Sequence, residues 1–363
     1  MKIAIATNSA HALAVLRRAL AERRHEVDWI AQDAADLVQR CAKRAPNLLL
    51  LDCEIASGGD GSAARLMATT PCPIVIVSRD VAAHAGRIFE ALGAGALDVV
   101  NVGADHTEAR VMAISVGSRI DMNVRLLRDA SAPARAPEQA RSTPLSPRPP
   151  SDTDVARLLV IGASVGGPQA IATILGGLPR DFPAAIVVVQ HVDAEFAPMM
   201  ATWFGSQCEL PVRIAQEGDI PLPGTVLVAG GDEHLAFVDE HRLGHAKPKT
   251  NSFYRPSIDV FFESAVAFRG VLIAVLLTGM GRDGARGLRE LRDAGAHTIA
   301  QDRGTSAVYG MPKAAVELGA AVEVLPLDRI APRIATLIGA RRCATGPMRA
   351  TRSMARGEGG ERG

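Results

Sequence analysis

The sequence predicts an α/β protein with two parallel-sheet domains in tandem. Three observations lead there. Short apolar runs of β character alternate with helical patterns from residue 3 to about residue 120, and again from residue 158 to residue 325. At 363 residues the chain is longer than one ordinary core accommodates. Between the two series the periodicity fades into Ala, Pro, Arg and Ser, as in Arg141-Ser142-Thr143-Pro144 and Pro147-Arg148-Pro149-Pro150. Such a tract buries no core and reads as a tether. The expected boundaries are 1–123, a linker over 124–154, a second domain over 155–340 and a disordered tail over 341–363, where Arg349, Arg352, Arg356 and Gly357-Glu358-Gly359-Gly360 carry no apolar period.

In the first domain, 3–6, 27–30, 48–51, 74–77 and 97–100 read as strands. Helical patterns over 10–23, 34–43, 62–68 and 87–92 join them, and 107–120 closes the series. Strands this continuously apolar, such as Leu48-Leu49-Leu50-Leu51, belong to a parallel sheet covered on both faces. The polar residues at their carboxyl ends, where ligands bind such sheets, are Thr7, Asn8, Asp52, Ser78 and Asn101.

The second domain repeats the pattern with strands at 158–161, 185–189, 271–277, 298–300 and 322–325, and helices at 168–175, 285–294 and 306–318. Shorter strands at 226–229, 235–238 and 242–246 suggest an antiparallel section.

Composition excludes several function classes. A net charge of +1 gives no electrostatic footprint for nucleic acid. Cys41, Cys53, Cys72, Cys208 and Cys343 form no C-x-x-C pair and no metal-ligand spacing, which fits a reducing cytoplasm. The amino terminus has no signal-peptide architecture, and no apolar run approaches a membrane span.

The stretch Gly162-Ala163-Ser164-Val165-Gly166 has the spacing of a nucleophile elbow, G-x-S-x-G, in which small residues permit a sharp strand-to-helix turn with the Ser exposed. A Gly-rich turn after a strand also suits phosphate binding. No G-K-[ST] follows it, and Ser164 occupies the second Gly of a dinucleotide fingerprint, so the nucleotide reading weakens. His234 and His241, without H-E-x-x-H, give no zinc motif. Two more strands end near triad-type residues, His191 after 185–189 and Asp283 after 271–277. A Ser hydroxyl needs a base to remove its proton, and the base needs an acid to fix its tautomer. Ser164, His191 and Asp283 supply the three roles in an order that differs from the α/β-hydrolases. The bland alternatives are a surface His191 and an Asp283 that caps the helix beginning at Gly284. Ser257 reads as the N-cap of the helix through Phe261 and Phe262.

The first domain resembles the flavodoxin-like receiver domain of two-component response regulators, with Asp52 at the phosphoacceptor position and Ser78 at the position that follows the phosphoryl group. It departs from them at Thr7-Asn8, where the family carries an acidic pair for Mg²⁺, and at Val102, where it carries a Lys. Phosphoryl transfer depends on that metal and that cation, so a degenerate receiver is expected, with Mg²⁺ binding in doubt. With Ile161 to Pro168, Val189-Gln190-His191, Tyr254-Arg255-Pro256-Ser257-Ile258-Asp259, Leu277 to Gly284, Gln301-Asp302 and Val308 to Pro312 in this order, the whole chain resembles the chemotaxis protein-glutamate methylesterases, most nearly those of Wsp-type chemosensory pathways. The resemblance implies a second domain that is a doubly wound α/β methylesterase with catalytic Ser164, His191 and Asp283 and no cofactor for the esterase. It also implies backbone oxyanion donors near Val165 and Met280. Arg255, flanked by Tyr254 and Pro256, is a candidate to hold a substrate carbonyl or acidic neighbours, with a structural Arg packing on Tyr254 as the alternative. The partners implied are a methyl-accepting chemoreceptor and a chemosensory histidine kinase. A catalytically weak docking protein of the same pathway is the alternative.

Overall fold

The computed structural model describes residues 2–56, 65–66, 72–103, parts of 113–127, 156–231, 233–247 and 256–343. The first sheet comprises β1 (Lys2–Ala6), β2 (Glu26–Ala31), β3 (Leu48–Asp52), β4 (Ile74–Ser78) and β5 (Asp98–Asn101). Its order is β2-β1-β3-β4-β5, with every neighbour parallel. This is the flavodoxin-like winding, and its switch point lies between β1 and β3, where Thr7 and Asp52 emerge. The connecting helices are α1 (Ala10–Glu22), α2 (Ala34–Lys43), the short α3 (Cys53–Ala56) and α4 (Ala85–Gly93). Local chemistry sets their starts. The Ser9 hydroxyl accepts the Ala12 N–H, and the Asp33 carboxylate accepts that of Asp36.

The second sheet contains β6 (Arg157–Ala163), β7 (Ala185–Gln190), β8 (Val212–Ile214), β9 (Val226–Val228), β12 (Val271–Leu276), β13 (His297–Gln301) and β14 (Glu323–Leu325). It runs β14-β13-β12-β6-β7-β9-β8, again wholly parallel. Around it lie α5 (Gly167–Gly176), α6 (Ala197–Gln207), α7 (Ile258–Ser264), α8 (Ala285–Asp293), α9 (Met311–Glu317) and α10 (Leu327–Cys343). A separate antiparallel hairpin pairs β10 (His234–Phe237) with β11 (Leu243–Ala246).

Differences from the sequence expectations have physical causes. The strand at 226–229 is not antiparallel: β9 is buried between β7 and β8, and among the described residues only β10 and β11 form an antiparallel pair. The helix expected over 306–318 starts only at α9, where Pro312 sits in the first turn and needs no backbone acceptor. The residues before it form a loop in which Tyr309 bridges to Gly279. Four elements carry no sequence signal: the short α3, β8, α6 and α10. The last contains Pro332, whose ring ordinarily argues against a helix interior, and extends to Cys343. Most of the expected linker, the tail from residue 344 and most of the helix expected over 62–68 lie outside the described residues.

Helix α4 of the first sheet packs against α5 and α6 of the second, and Phe89 stacks on Trp203 with ring centroids 5.2 Å apart. A single apolar cluster therefore draws from both sheets, including Leu49, Leu51, Ile88 and Phe89 with Ile171, Ile174, Met200 and Phe204.

Candidate active site

Strands β12, β6 and β7 are consecutive neighbours in the second sheet, and the residues after their carboxyl ends include Asp283, Ser164 and His191. Register brings the ends level: Leu276 pairs with Gly162 and Ala163 pairs with Gln190. The chain leaves β6 through Ser164 into a left-handed Gly166 (φ +73°), where a Cβ would lie 2.6 Å from that of Ala307. Pro168 then opens α5.

The elbow is held from both sides. The Ser164 N–H donates to Thr278 O (3.1 Å), while Ser164 O accepts the Gly167 N–H (2.8 Å) and the buried Gln190 side-chain amide (2.8 Å). The His191 N–H donates to Ala163 O (3.1 Å). His191 Nε2 donates to Asp283 Oδ2 at 2.8 Å. Asp283, 6% exposed, also accepts the N–H of Ile258 on Oδ2 (2.7 Å), and the Ser257 hydroxyl (2.9 Å) and Asp259 N–H (3.1 Å) on Oδ1. Burial by itself would raise this carboxyl's pKa. The bond and charge of His191 and the two backbone N–H groups outweigh it and hold Asp283 below the ordinary carboxylate value. Asp283 thus caps α7, a helix distant in sequence, while Gly284 is the N-cap of α8.

A second layer fixes the loop between β12 and Asp283. The Thr278 hydroxyl donates to Val165 O (2.9 Å) and accepts the Val308 N–H (2.9 Å). The Thr278 N–H donates to the buried Gln301 side chain (2.8 Å). Gly279 O accepts the N–H groups of Gly310 and Met311, so in the same planar peptide the Met280 N–H points the opposite way. A Cβ on Gly279 would lie 2.8 Å from Ser164 Cβ, which shows how closely this backbone approaches the elbow. The Ser164 N–H itself is spent on Thr278 O.

A family model described as "CheB methylesterase" matches residues 159–334. The chain is 47% identical, over 92% of its length and 96% of the other's, to Protein-glutamate methylesterase/protein-glutamine glutaminase 1 of Cupriavidus pinatubonensis. The chain belongs to the CheB methylesterase family. It is also 48% identical, over 92% of its length and 98% of the other's, to the family member of the group 3 operon in Pseudomonas putida. Among solved structures, the CheB methylesterase catalytic domain of Thermotoga maritima is 37% identical over 50% of this chain and 98% of that one, with a TM-score of 0.49.

Within this CheB-family chain, Arg255 lies outside the described residues. In the first sheet, Asp52 is buried, with Oδ2 accepting the Thr7 hydroxyl (2.6 Å) and Oδ1 accepting the Glu54 N–H (3.1 Å). Ser78 Oγ lies 3.2 Å from His84 Nδ1, and Val102 is fully buried. Among the described residues no group of three or more His, Cys, Asp or Glu is placed to hold a metal ion, and no helix is long and apolar enough to cross a membrane.

Sequence reasoning missed Asp259. It lies beside Asp283, and burial first, then the neighbouring Asp283 charge, push its pKa up to about 6 despite the Gly287 N–H bond and Arg286. A carboxyl whose pKa is raised on folding binds more protons in the folded state, so its ionisation weakens folding as pH rises through roughly 4 to 6. Asp259→Asn keeps an oxygen for Gly287 and removes that cost. The variant is expected to be more stable than the parent at pH 8, by on the order of 2 kcal/mol. The gain should vanish toward pH 4. Paired thermal melts across this range check it, and a variant less stable at pH 8 would contradict the assignment.

Proposed function

We propose that this chain is a serine esterase that hydrolyses glutamate methyl esters on chemoreceptors, releasing methanol, and deamidates receptor glutamines with the same machinery. The Asp283–His191 pair beside the Ser164 elbow is the observation that carries this reading. Ser164 Oγ attacks the ester carbonyl as His191 takes its proton. With Nε2 on Asp283, the accepting nitrogen is Nδ1. The tetrahedral oxyanion is met by backbone N–H groups at Val165 and Met280, each worth roughly 3 to 4 kcal/mol in comparable sites. Collapse breaks the bond to the methoxy oxygen, His191 returns the proton to departing methanol, and water then resolves the acyl-enzyme by the same route. For a glutamine the leaving group is ammonia. Asp283 stays ionised and keeps His191 oriented throughout.

The remaining assignments belong to this same reading. The receiver spans 1–123, the linker 124–154, the methylesterase domain 155–340 and the tail 341–363. The partners are a methyl-accepting chemoreceptor and its histidine kinase, in the cytoplasm, and the nearest pathway type is Wsp. Intact triad residues weigh against a docking protein without turnover, which a fluorophosphonate probe would leave unlabelled. Mass-spectrometric tracking of receptor glutamates is the direct test. Receptors that keep their methyl groups in the presence of the full chain would overturn the esterase reading.

For the receiver, Thr7 and Val102 supply neither the carboxylates for Mg²⁺ nor the cation that phosphoryl transfer uses, and Thr7 already donates to Asp52. Incubation with acetyl phosphate and Mg²⁺ is therefore expected to leave Asp52 unmodified in intact-mass measurements. Stoichiometric phosphorylation would refute the degenerate reading and restore a conventional switch.

A further inference from the structure

The carboxylate of Asp283 receives four donors, and only one of them, besides His191, is a side chain. That donor is Ser257. Its sequence position suggested a helix cap, but the distances rank its two bonds. The hydroxyl donates to Asp283 Oδ1 at 2.9 Å, whereas the capping bond it accepts from the Val260 N–H is 3.4 Å long. A short bond to an ionised acceptor outweighs a long neutral one. Ser257 is itself 6% exposed, and its N–H donates to Nδ1 of buried His234 on β10 (3.1 Å). The hairpin therefore anchors Ser257 from behind while its hydroxyl faces the site.

We infer that Ser257 is a positioning residue for hydrolysis, its hydroxyl fixing the Asp283 carboxylate in the orientation that presents His191 to Ser164. The inference rests on the reading of Ser164, His191 and Asp283 as the reacting set. Each carboxylate oxygen has two donors, which fills its lone pairs and leaves little freedom to rotate. Removing the hydroxyl leaves Oδ1 with the Asp259 N–H alone. The carboxylate then rotates more freely and no longer holds His191 in one orientation. The other charged and titratable groups facing this region are Asp259 on α7, Arg286 on α8, 3.9 Å from Asp259, Glu263, which pairs with Arg286, and His234 behind Ser257. None of them supplies a replacement donor to Oδ1 in the structure.

The test uses the full chain, with methanol release from membranes bearing methylated receptor and the rate at which a fluorophosphonate labels Ser164. Ser257→Ala is expected to lower kcat roughly 10- to 100-fold with KM little changed, since misorientation near a reacting group has effects of this size. Ser257→Gly removes the hydroxyl yet remains an acceptable N-cap, so the same losses in both variants separate the hydroxyl from helix stability. Ser257→Thr should restore most of kcat and of the labelling rate. Parent kcat and labelling rate in the Ala and Gly variants would overturn the inference, as would a Thr variant as slow as Ala at an unchanged melting temperature. A parallel Ser164→Ala variant keeps the two levels apart. Turnover retained there removes the reacting set and this inference with it, whereas an inactive Ser164→Ala beside normal Ser257 variants removes this inference alone.

Discussion

Ser164→Ala is expected to lower turnover by on the order of 10⁶, measured as methanol release from methylated receptor, while leaving the fold unchanged. The size follows from the way a nucleophile and its base act as one unit. Without Oγ, His191 has no proton to take and no acyl-enzyme forms, so only binding and the oxyanion donors remain. The fold should survive because the backbone of residue 164 makes the structural bonds: its N–H to Thr278 O, and its carbonyl to Gly167 and Gln190. Ala offers the same groups. A variant that retained a tenth of the parent rate at an unchanged melting temperature would mean that Ser164 is not the nucleophile.

Asp283→Asn should cost on the order of 10⁴ in kcat, as the equivalent exchange does in other Ser-His-Asp sites. An amide carries one accepting oxygen where the carboxylate has two. If its nitrogen faces His191, it donates to Nε2 and forces the ring proton to Nδ1, the position that must accept from Ser164. If it faces the other way, it opposes the Asp259 N–H and the Ser257 hydroxyl. Either orientation strips a backbone N–H of its buried partner, at about 1 to 3 kcal/mol of stability. The parent also gains stability from the depressed pKa of Asp283. That gain is present above the ordinary carboxyl pKa and is lost as pH falls through the lower folded value. The expected pattern is thus a slow enzyme with a lower melting temperature at neutral pH and a smaller deficit in acid. A kcat within tenfold of the parent would remove Asp283 from the mechanism.

The strands and the elbow were legible because their signals are local. Leu48-Leu49-Leu50-Leu51 and Leu158-Leu159-Val160-Ile161 can only be buried on both faces, and Gly162, Ser164 and Gly166 stand at the spacing a sharp turn needs. Parallel strands then bring their carboxyl ends to one edge, which is why His191 and Asp283 could be paired with Ser164 across the sequence. What the sequence concealed is the set of contacts between elements distant along the chain. Nothing in the local pattern of Ser257 or Asp259 says that the start of α7 faces a carboxylate from the loop after β12. Gln301 and Thr278 fall within motifs that carry the family resemblance, but nothing local to them says that their bonds brace the elbow. Helix α6 gave no signal because apolar residues such as Phe204 and Trp203 are spread around it, one side meeting its own sheet and Trp203 meeting Phe89.

That last contact bears on how such a protein can evolve. Phe89 and Ile88 are packed into the same apolar cluster as Ile171 on the helix that follows Ser164, so the amino-terminal sheet serves the hydrolytic half as a wall of its interior. Deleting it would bare that wall to water, whatever the condition of Asp52. A lineage could lose the phosphoryl chemistry of this sheet residue by residue and still be held to keeping its α4 face, and selection on that face would then report on folding rather than on signalling.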